Sequence, residues 1–577
     1  MVRNLRLWML VLCFCLANSA FKAVTEDEND ERKPYIVYMG DAGENYHVEA
    51  AEDHHNILLT VVGDESKARE LKMYSYGKNI NGFVARLFPH EAEKLSRDEG
   101  VISVFKNTQI QLHTTRSWDF LGFVESKYKR NVAVESDIIV GVLDTGIDIE
   151  SPSFDDKGFG PPPAKWKGKC VTGKNLTRCN NKVIGAKYFH LDQQNFVDDH
   201  GDTAADYEGH GTHISSTIAG VSVSDASLFG IANGTARGGV PSARIATYKV
   251  CWELDGCSAM DMLAAFDDAI SDGVDMISVS IGGSSLPFFS DPIAIGAFHA
   301  MKRGILTTCS AGNTGPELFT VSNLAPWVMT VAANSIDRKF QTVFKLGDGQ
   351  TASGISLNGF SPTKKIYPLT SGLLASNVTA GGYGEPSVCE AGTMGEDKVM
   401  GKVVYCEAAP EEGGGSGGED HIVRSLKGAG VIIQLQEPTD MAFVTVIPGS
   451  YVFFEDGTKI SEYINSTKNP QAVIFKTQTS KMLAPSVATF SGRGPQRISP
   501  SILKPDISAP GLNILAALSR LESLTDYPDD KRQTLFSIRS GTSMACPHAA
   551  AAAAYVKSFH PDWSPAAIKS ALMTTGK

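Results

Sequence analysis

The chain lacks most of what would mark it for a membrane or a nucleic acid. Its only long apolar run, Leu7 to Ala17, is 11 residues, where a bilayer-crossing helix needs ~20. There is no excess of positive charge: 53 Lys and Arg stand against 64 Asp and Glu, a formal net charge of −11. That balance offers no electrostatic footprint for nucleic acid or an anionic membrane. No Cys-x-x-Cys occurs, which removes zinc-ribbon and thioredoxin-type readings. No His-Glu-x-x-His and no Gly-x-x-x-x-Gly-Lys-Ser/Thr occurs, so zinc peptidase and P-loop nucleotide hydrolysis have no support. Internal repeats are absent as well. No cofactor and no metal are expected.

What remains is ordinary globular material. Hydrophobic residues make up 42% and charged residues 20% of 577, enough for three or four domains at ~100–200 residues each. The first residues follow the order of a secretory signal peptide: Arg3 and Arg6, the apolar run, then Ala17, Ser19, Ala20 and Ala23 before the acidic stretch Glu26–Asp30. Ten cysteines are present, and Cys13 and Cys15 leave with that signal. In an oxidising compartment Cys170/Cys179, Cys251/Cys257 and Cys389/Cys406 are expected to pair, each couple being close in sequence or flanking an apparent strand pair. Cys309 and Cys546 sit among apolar or small residues and read as buried free thiols. Four Asn-x-Ser/Thr sequons stand at Asn175, Asn233, Asn377 and Asn465, as a secreted glycoprotein would carry.

The hydrophobic pattern divides the chain. Pro34–Met39, Gly82–Leu87 and Val101–Phe105 are strand-like, with helical stretches between them, a β-α-β-α-β spacing that suits a small α+β, ferredoxin-like module ending near His113. From about Asp137, apolar runs at Ile138–Leu143, Ile245–Val250, Met276–Ile281, Ile305–Cys309 and Val328–Ala332 alternate with helical stretches such as Met260–Ser271. Buried strands alternating with helices predict a parallel sheet covered on both faces. From Phe344 to about Thr479 the sequence is Gly-rich and β-biased, with a solvated loop at Glu411–Asp420. Strand and helix return from Ser486, so this block reads as an insertion within the α/β domain.

Four short segments carry chemistry. Asp144 ends the run Ile138–Leu143, and functional groups in open parallel sheets gather at the carboxyl ends of strands. Asp144-Thr145-Gly146 also resembles the aspartic-protease motif, but that chemistry needs two carboxylates and the motif occurs once. His210 lies between two glycines in Glu208-Gly209-His210-Gly211-Thr212-His213 at the start of a helical stretch; with His213 it offers a weak i, i+3 metal spacing. Ser310-Ala311-Gly312-Asn313 follows a strand, where the Asn amide can donate to a developing negative oxygen. Gly541-Thr542-Ser543-Met544-Ala545 opens an alanine-rich helix, which places Ser543 near a helix N-terminus. An esterase elbow Gly-x-Ser-x-Gly occurs only at Gly414–Gly418, inside the flexible loop with no strand before it.

Taken together, these four segments in the order Asp144, His210, Asn313, Ser543 resemble the signature segments of subtilisin-like serine proteases. Thr114–Gly122, Gly234–Gly238 and Tyr248–Trp252 are similar to plant subtilases, most closely the xylem serine protease type. The resemblance implies a subtilisin-like parallel sheet and a secreted serine endopeptidase of the plant apoplast or cell wall. It implies Ser543 as nucleophile, His210 as base, Asp144 as its orienting partner and Asn313 as oxyanion donor. It also implies a substrate cleft at Ser280, Ile281, Gly282, Gly283, Ser310, Ala311 and Gly312 that takes an extended peptide. The domains it implies are a signal peptide at 1–23 and an inhibitory propeptide at 34–113 cut between His113 and Thr114. A catalytic domain follows in two parts, 114–343 and 480–577, around a β-rich protease-associated domain at 344–479. Its partners are then protein or peptide substrates and its own propeptide; whether the inserted domain meets substrate or a second subunit of a homodimer stays open. Ile214, Gly492 and Ala549–Ala554 depart from the family pattern beside the site. Family members continue into a C-terminal β-sandwich beyond the point where this sequence stops at Lys577, an absence expected to expose apolar surface. A catalytically silent, truncated binding protein is the rival reading.

Overall fold

The structure, a computed structural model, describes residues 32–41, 50–76, 80–106, 116–123, 130–191, 201–253, 255–377, 384–408, 418–525, 527 and 529–576. The expected signal peptide, the His113–Thr114 junction and Gly414–Gly417 lie outside the described residues. The chain divides into two compact units, Met1–Leu112 and His113–Lys577.

The first unit is a four-stranded antiparallel sheet with helices. Strands β1 (Lys33–Asp41), β2 (Lys72–Tyr76), β3 (Ile80–Leu87) and β4 (Ser103–Lys106) stand in the order β2-β3-β1-β4. Helices α1 (Ala50–Val62), α2 (Glu65–Leu71) and α3 (Pro89–Leu95) connect them. Val37, Leu58, Phe83 and Leu95 form its core. The strand β2 has no counterpart in the sequence reading. It lies at the sheet edge, where Met73 and Tyr74 remain exposed, so it shows no buried apolar run.

The second unit is built on a seven-stranded parallel sheet. In chain order its strands are β5 (Ile139–Asp144), β6 (Val183–Tyr188), β7 (Arg244–Lys249), β8 (Met276–Val279), β9 (Leu306–Ser310), β10 (Met329–Asn334) and β11 (Ile507–Pro510). Across the sheet they run β11-β10-β9-β8-β5-β7-β6, with every neighbour parallel. Each of the five apolar runs read from the sequence is one of these strands. Helices α4 (His210–Ala219) and α7 (Thr542–Phe559) pack on one face, and α5 (Ala259–Asp272) and α6 (Pro292–Lys302) on the other. Ile214 is buried in the first of these cores, and so are Ala549, Ala550, Ala551, Ala553 and Ala554. These departures from the family pattern are therefore packing choices rather than cleft residues.

Between β10 and β11 the chain leaves the central sheet and builds an eight-stranded sheet of its own. Its first strand is Arg338–Leu346, and the buried Arg338 donates to the Asn513 carbonyl at 2.8 Å. Tyr367–Ser371, Val403–Cys406, Gly430–Gln434 and Gly449–Val452 pair in parallel, with helices at Glu419–Ser425 and Phe454–Ser466. Disulfides join Cys170–Cys179, Cys251–Cys257 and Cys389–Cys406, while Cys309 and Cys546 are free and buried. Asn175, Asn233, Asn377 and Asn465 are all exposed. Among the described residues no helix is long and apolar enough to cross a membrane.

His548 on α7 is fully buried, 4.8 Å from the Trp118 ring, with its Nδ1 donating to the Met544 carbonyl at 2.8 Å. Burial pushes its imidazole down to about 4. The folded chain therefore holds it neutral while an unfolded chain, titrating near 6.5, takes up a proton. The stability this neutral form contributes is complete above pH 6.5 and is lost as pH falls toward 4, by about 3 kcal/mol in all. Circular-dichroism melts should show the loss over that window. His548→Asn, which can still donate to Met544 but cannot titrate, should flatten it.

Candidate active site

The parallel register brings the predicted segments together. Asp144 ends β5 opposite Lys249, Val279 pairs with both Leu143 and Cys309, and Ser310 ends β9. Asp144, Ser280 and Ser310 thus stand at the carboxyl ends of three adjacent strands. Asp144 is fully buried, and its Oδ1 accepts the Thr145 amide at 2.8 Å. The same oxygen lies 2.7 Å from His210 Nδ1. Its other oxygen has no hydrogen-bond partner among the described residues.

His210 is the first residue of α4, and Gly209 before it adopts φ +69°, a left-handed conformation that favours glycine. A Cβ on Gly211 would stand 2.2 Å from the Gly146 carbonyl oxygen, so only glycine lets α4 approach the end of β5 this closely. Asp206, which the sequence reading passed over, fixes the helix start. It is fully buried, and its Oδ1 accepts from the Gly209 amide and the Thr145 hydroxyl at 2.8 Å each. Its Oδ2 accepts from the Thr212 amide at 2.8 Å and the Thr212 hydroxyl at 2.6 Å. The Thr145 hydroxyl in turn accepts the Gly211 amide at 2.8 Å. Asp206 is an N-terminal cap supplied from outside the helix. Its only signal in the sequence was an acidic residue four positions before His210.

Burial favours the neutral imidazole of His210, but the charge and hydrogen bond of Asp144 outweigh it, and the net effect is upward from the ordinary value. His213 points away, its Nε2 3.1 Å from the Ile514 carbonyl, and burial holds it far below its ordinary value. Among the described residues no group of three or more His, Cys, Asp or Glu is arranged to hold a metal ion.

Ser543 is the second residue of α7. Pro547 lies one turn on and has no N–H to offer the Ser543 carbonyl. The Ser280 hydroxyl takes that role at 3.0 Å, and the Ser543 hydroxyl donates back to the Ser280 carbonyl at 3.1 Å. Among the described residues no hydrogen bond joins the Ser543 hydroxyl to His210, although both line one cleft. Asn313 Oδ1 accepts from the Thr542 amide and hydroxyl, both at 2.8 Å, which fixes the amide orientation and leaves Nδ2 as the free donor end. A Cβ built on Gly541 would lie 3.5 Å from Asn313 Nδ2 and 3.6 Å from the Ser543 amide nitrogen. The two donors therefore border one small space beside the serine.

The cleft has a volume of about 1340 Å³. Ser280, Ile281, Gly282, Gly283, Ser310 and Gly312 line it. Ala311, expected among the substrate-binding residues, is not part of the cleft lining: it is fully buried, with its amide donating to the Val331 carbonyl and its carbonyl accepting from the Ser322 amide. Asn323, unmarked in the sequence reading, holds the two walls at a fixed spacing by donating to the Ile281 carbonyl at 2.9 Å and the Ser310 carbonyl at 2.7 Å. Gly492 backs onto the same wall. Its amide donates to the Gly312 carbonyl at 2.8 Å, and a Cβ there would meet the Ala311 oxygen at 2.2 Å. The disulfide-closed hairpin Cys251–Cys257 also lines the cleft.

Comparison with known proteins shows the family. The sequence pattern of the subtilase family matches residues 135–577, and that of peptidase inhibitor I9 matches residues 34–113. Subtilisin-like protease SBT4.15 of Arabidopsis thaliana is 82% identical over 576 residues, covering 100% of this chain and 75% of that protein. SBT4.14 of the same plant is 50% identical over 555 residues, covering 96% of this chain and 73% of its own length. A parallel sheet with helices on both faces, an I9 unit at the N-terminal end and a family match over most of the chain lead to one assignment: this protein belongs to the subtilase family and is a subtilisin-like serine endopeptidase with an I9 propeptide.

Proposed function

We propose that the chain is a secreted, self-processing endopeptidase zymogen that cleaves peptide bonds through Asp144, His210 and Ser543. The observation that carries this reading is the 2.7 Å contact between Asp144 and His210 in the cleft that also holds Ser543 and Asn313. Ser543 Oγ turns about its Cα–Cβ bond from the Ser280 carbonyl toward His210 Nε2 as substrate binds. It attacks the scissile carbonyl while His210 takes its proton. Asp144 holds the imidazole in the tautomer with hydrogen on Nδ1 and stabilises the imidazolium that forms. The tetrahedral oxygen enters the space bordered by Asn313 Nδ2 and the Ser543 amide. His210 then gives its proton to the leaving amine, and water hydrolyses the acyl-enzyme by the same steps in reverse.

The remaining assignments follow from the family. Residues 1–23 direct secretion, to the apoplast or cell wall in a plant. Residues 34–113 are the intramolecular inhibitor, removed by cleavage between His113 and Thr114. The catalytic domain comprises 114–343 and 480–577, with the inserted block at 344–479 as a protease-associated domain. The exposure of Asn175, Asn233, Asn377 and Asn465 suits glycan attachment.

Three measurements test the reading. A fluorophosphonate probe should modify Ser543; a folded protein that never labels would favour the silent-protein alternative. Ser543→Ala should abolish both proteolysis and propeptide removal, and a mature N-terminus at Thr114 in that variant would assign the cut to another enzyme. Asn313→Ala should lower kcat on the order of 10²–10³-fold, a magnitude carried over from the matching donor of a bacterial subtilisin. KM should change little, because the oxyanion exists only along the reaction path. A change confined to KM would overturn the oxyanion role.

A further inference from the structure

We propose that Glu522 and Arg539 are a positioning pair for His210, bracing the turn that carries the imidazole and holding a balanced charge beside it. The inference rests on the reading of His210 as the base that activates Ser543.

Arg539 ends the second strand of the hairpin Ile514–Ala517/Phe536–Arg539, and Glu522 lies in the connection between these strands. Both line the cleft with His210 and Ser543. Arg539 Nη2 donates to Glu522 Oε1 and lies 3.5 Å from the Glu208 carbonyl oxygen. The other carboxylate oxygen sits directly on Gly209: a Cβ there would fall 1.7 Å from Glu522 Oε2. The left-handed glycine before His210 thus serves two ends, the turn into α4 and the seat of this carboxylate. Glu522 Oε2 is buried with no hydrogen-bond partner among the described residues. Its charge is therefore felt by its neighbours rather than spread over donors.

The groups acting on the imidazole come from every element around it. Asp144 at the end of β5 is hydrogen-bonded to it, and Asp206 before α4 adds negative charge. His213 on α4 is held neutral, and Glu208 faces Lys249 on β7. Arg539 is the cation that disfavours the imidazolium. Burial, opposed by Arg539 and His210, pushes the Glu522 carboxyl up to about 7, so its charge changes in the range where the base must work. With Glu522 ionised, the positive charge of Arg539 is matched; without it, a guanidinium stands unbalanced beside His210.

The test follows the rate of fluorophosphonate labelling of Ser543, together with kcat/KM, against pH. Both should rise as free His210 loses its proton. Glu522→Gln keeps the shape and removes the charge. The imidazolium is then less favoured, and the acid limb should move to lower pH by roughly a few tenths of a unit, less than for one full charge across a high-dielectric gap because Glu522 is only partly ionised there. Arg539→Met should move it the opposite way by a similar amount, and Arg539→Lys should leave it in place. A limb that stays fixed in both neutralising variants, or moves in one direction in both, overturns the proposal even if activity falls, because bracing alone lowers the rate without shifting the profile. If Glu522→Gln does not fold, the Arg539→Met and Arg539→Lys pair decides alone. A wild-type protein that does not label at Ser543 would instead remove the underlying assignment of His210.

Discussion

Seven strands lying parallel in one sheet impose the constraint from which the site follows. Neighbouring strands are ~4.8 Å apart, and their interiors are buried on both faces. Charged side chains in these strands then stand at or beside the strand ends, Asp144, Arg244 and Lys249 among them. Asp144, Ser280 and Ser310 occupy three neighbouring ends, so their spacing is set by the sheet rather than by any loop. The two helices that bring His210 and Ser543 arrive from elsewhere in the chain and share one face of the sheet.

A buried carboxylate and a half-buried imidazolium are each costly alone. Together they are tolerated because the negative charge of Asp144 and its hydrogen bond to His210 outweigh the penalty of burial on the imidazole. The surrounding network is arranged to leave that bond undisturbed. Asp206 absorbs the amides and hydroxyls of the α4 start, so none of them competes for Asp144. On the other side, Pro547 leaves the Ser543 carbonyl to Ser280, which ties the nucleophile helix to the end of β8.

The long excursion between β10 and β11 leaves the site intact for a topological reason. The chain departs from one strand and returns to its immediate neighbour, where Asn334 pairs with Pro510. The inserted sheet has its own apolar cores, including Phe344, Val403 and Ile432 in one and Val404 and Val431 in the other. An insertion with its own core at a sheet edge need not alter the register of the strands that carry the chemistry.

Much was legible in the chain because the signals were local. Apolar runs of four to eight residues mark buried strands wherever they fall, and a serine before six alanines marks a helix start. Glycines on both sides of one histidine mark a crowded backbone. Less was legible where the cause was a neighbour distant in sequence. Asp206, Asn323, Glu522 and Arg539 are unremarkable polar residues until folding brings them to Gly209, Ile281 and His210. Ala311 reads as a cleft residue beside Gly312, yet the pleat turns it inward, since successive residues of an extended chain face opposite sides. The amino-acid order determined which residues the protein can use and which elements carry them. Only the tertiary structure decided their partners, because hydrogen bonds and charges act over a few ångströms of space, whatever the distance along the chain.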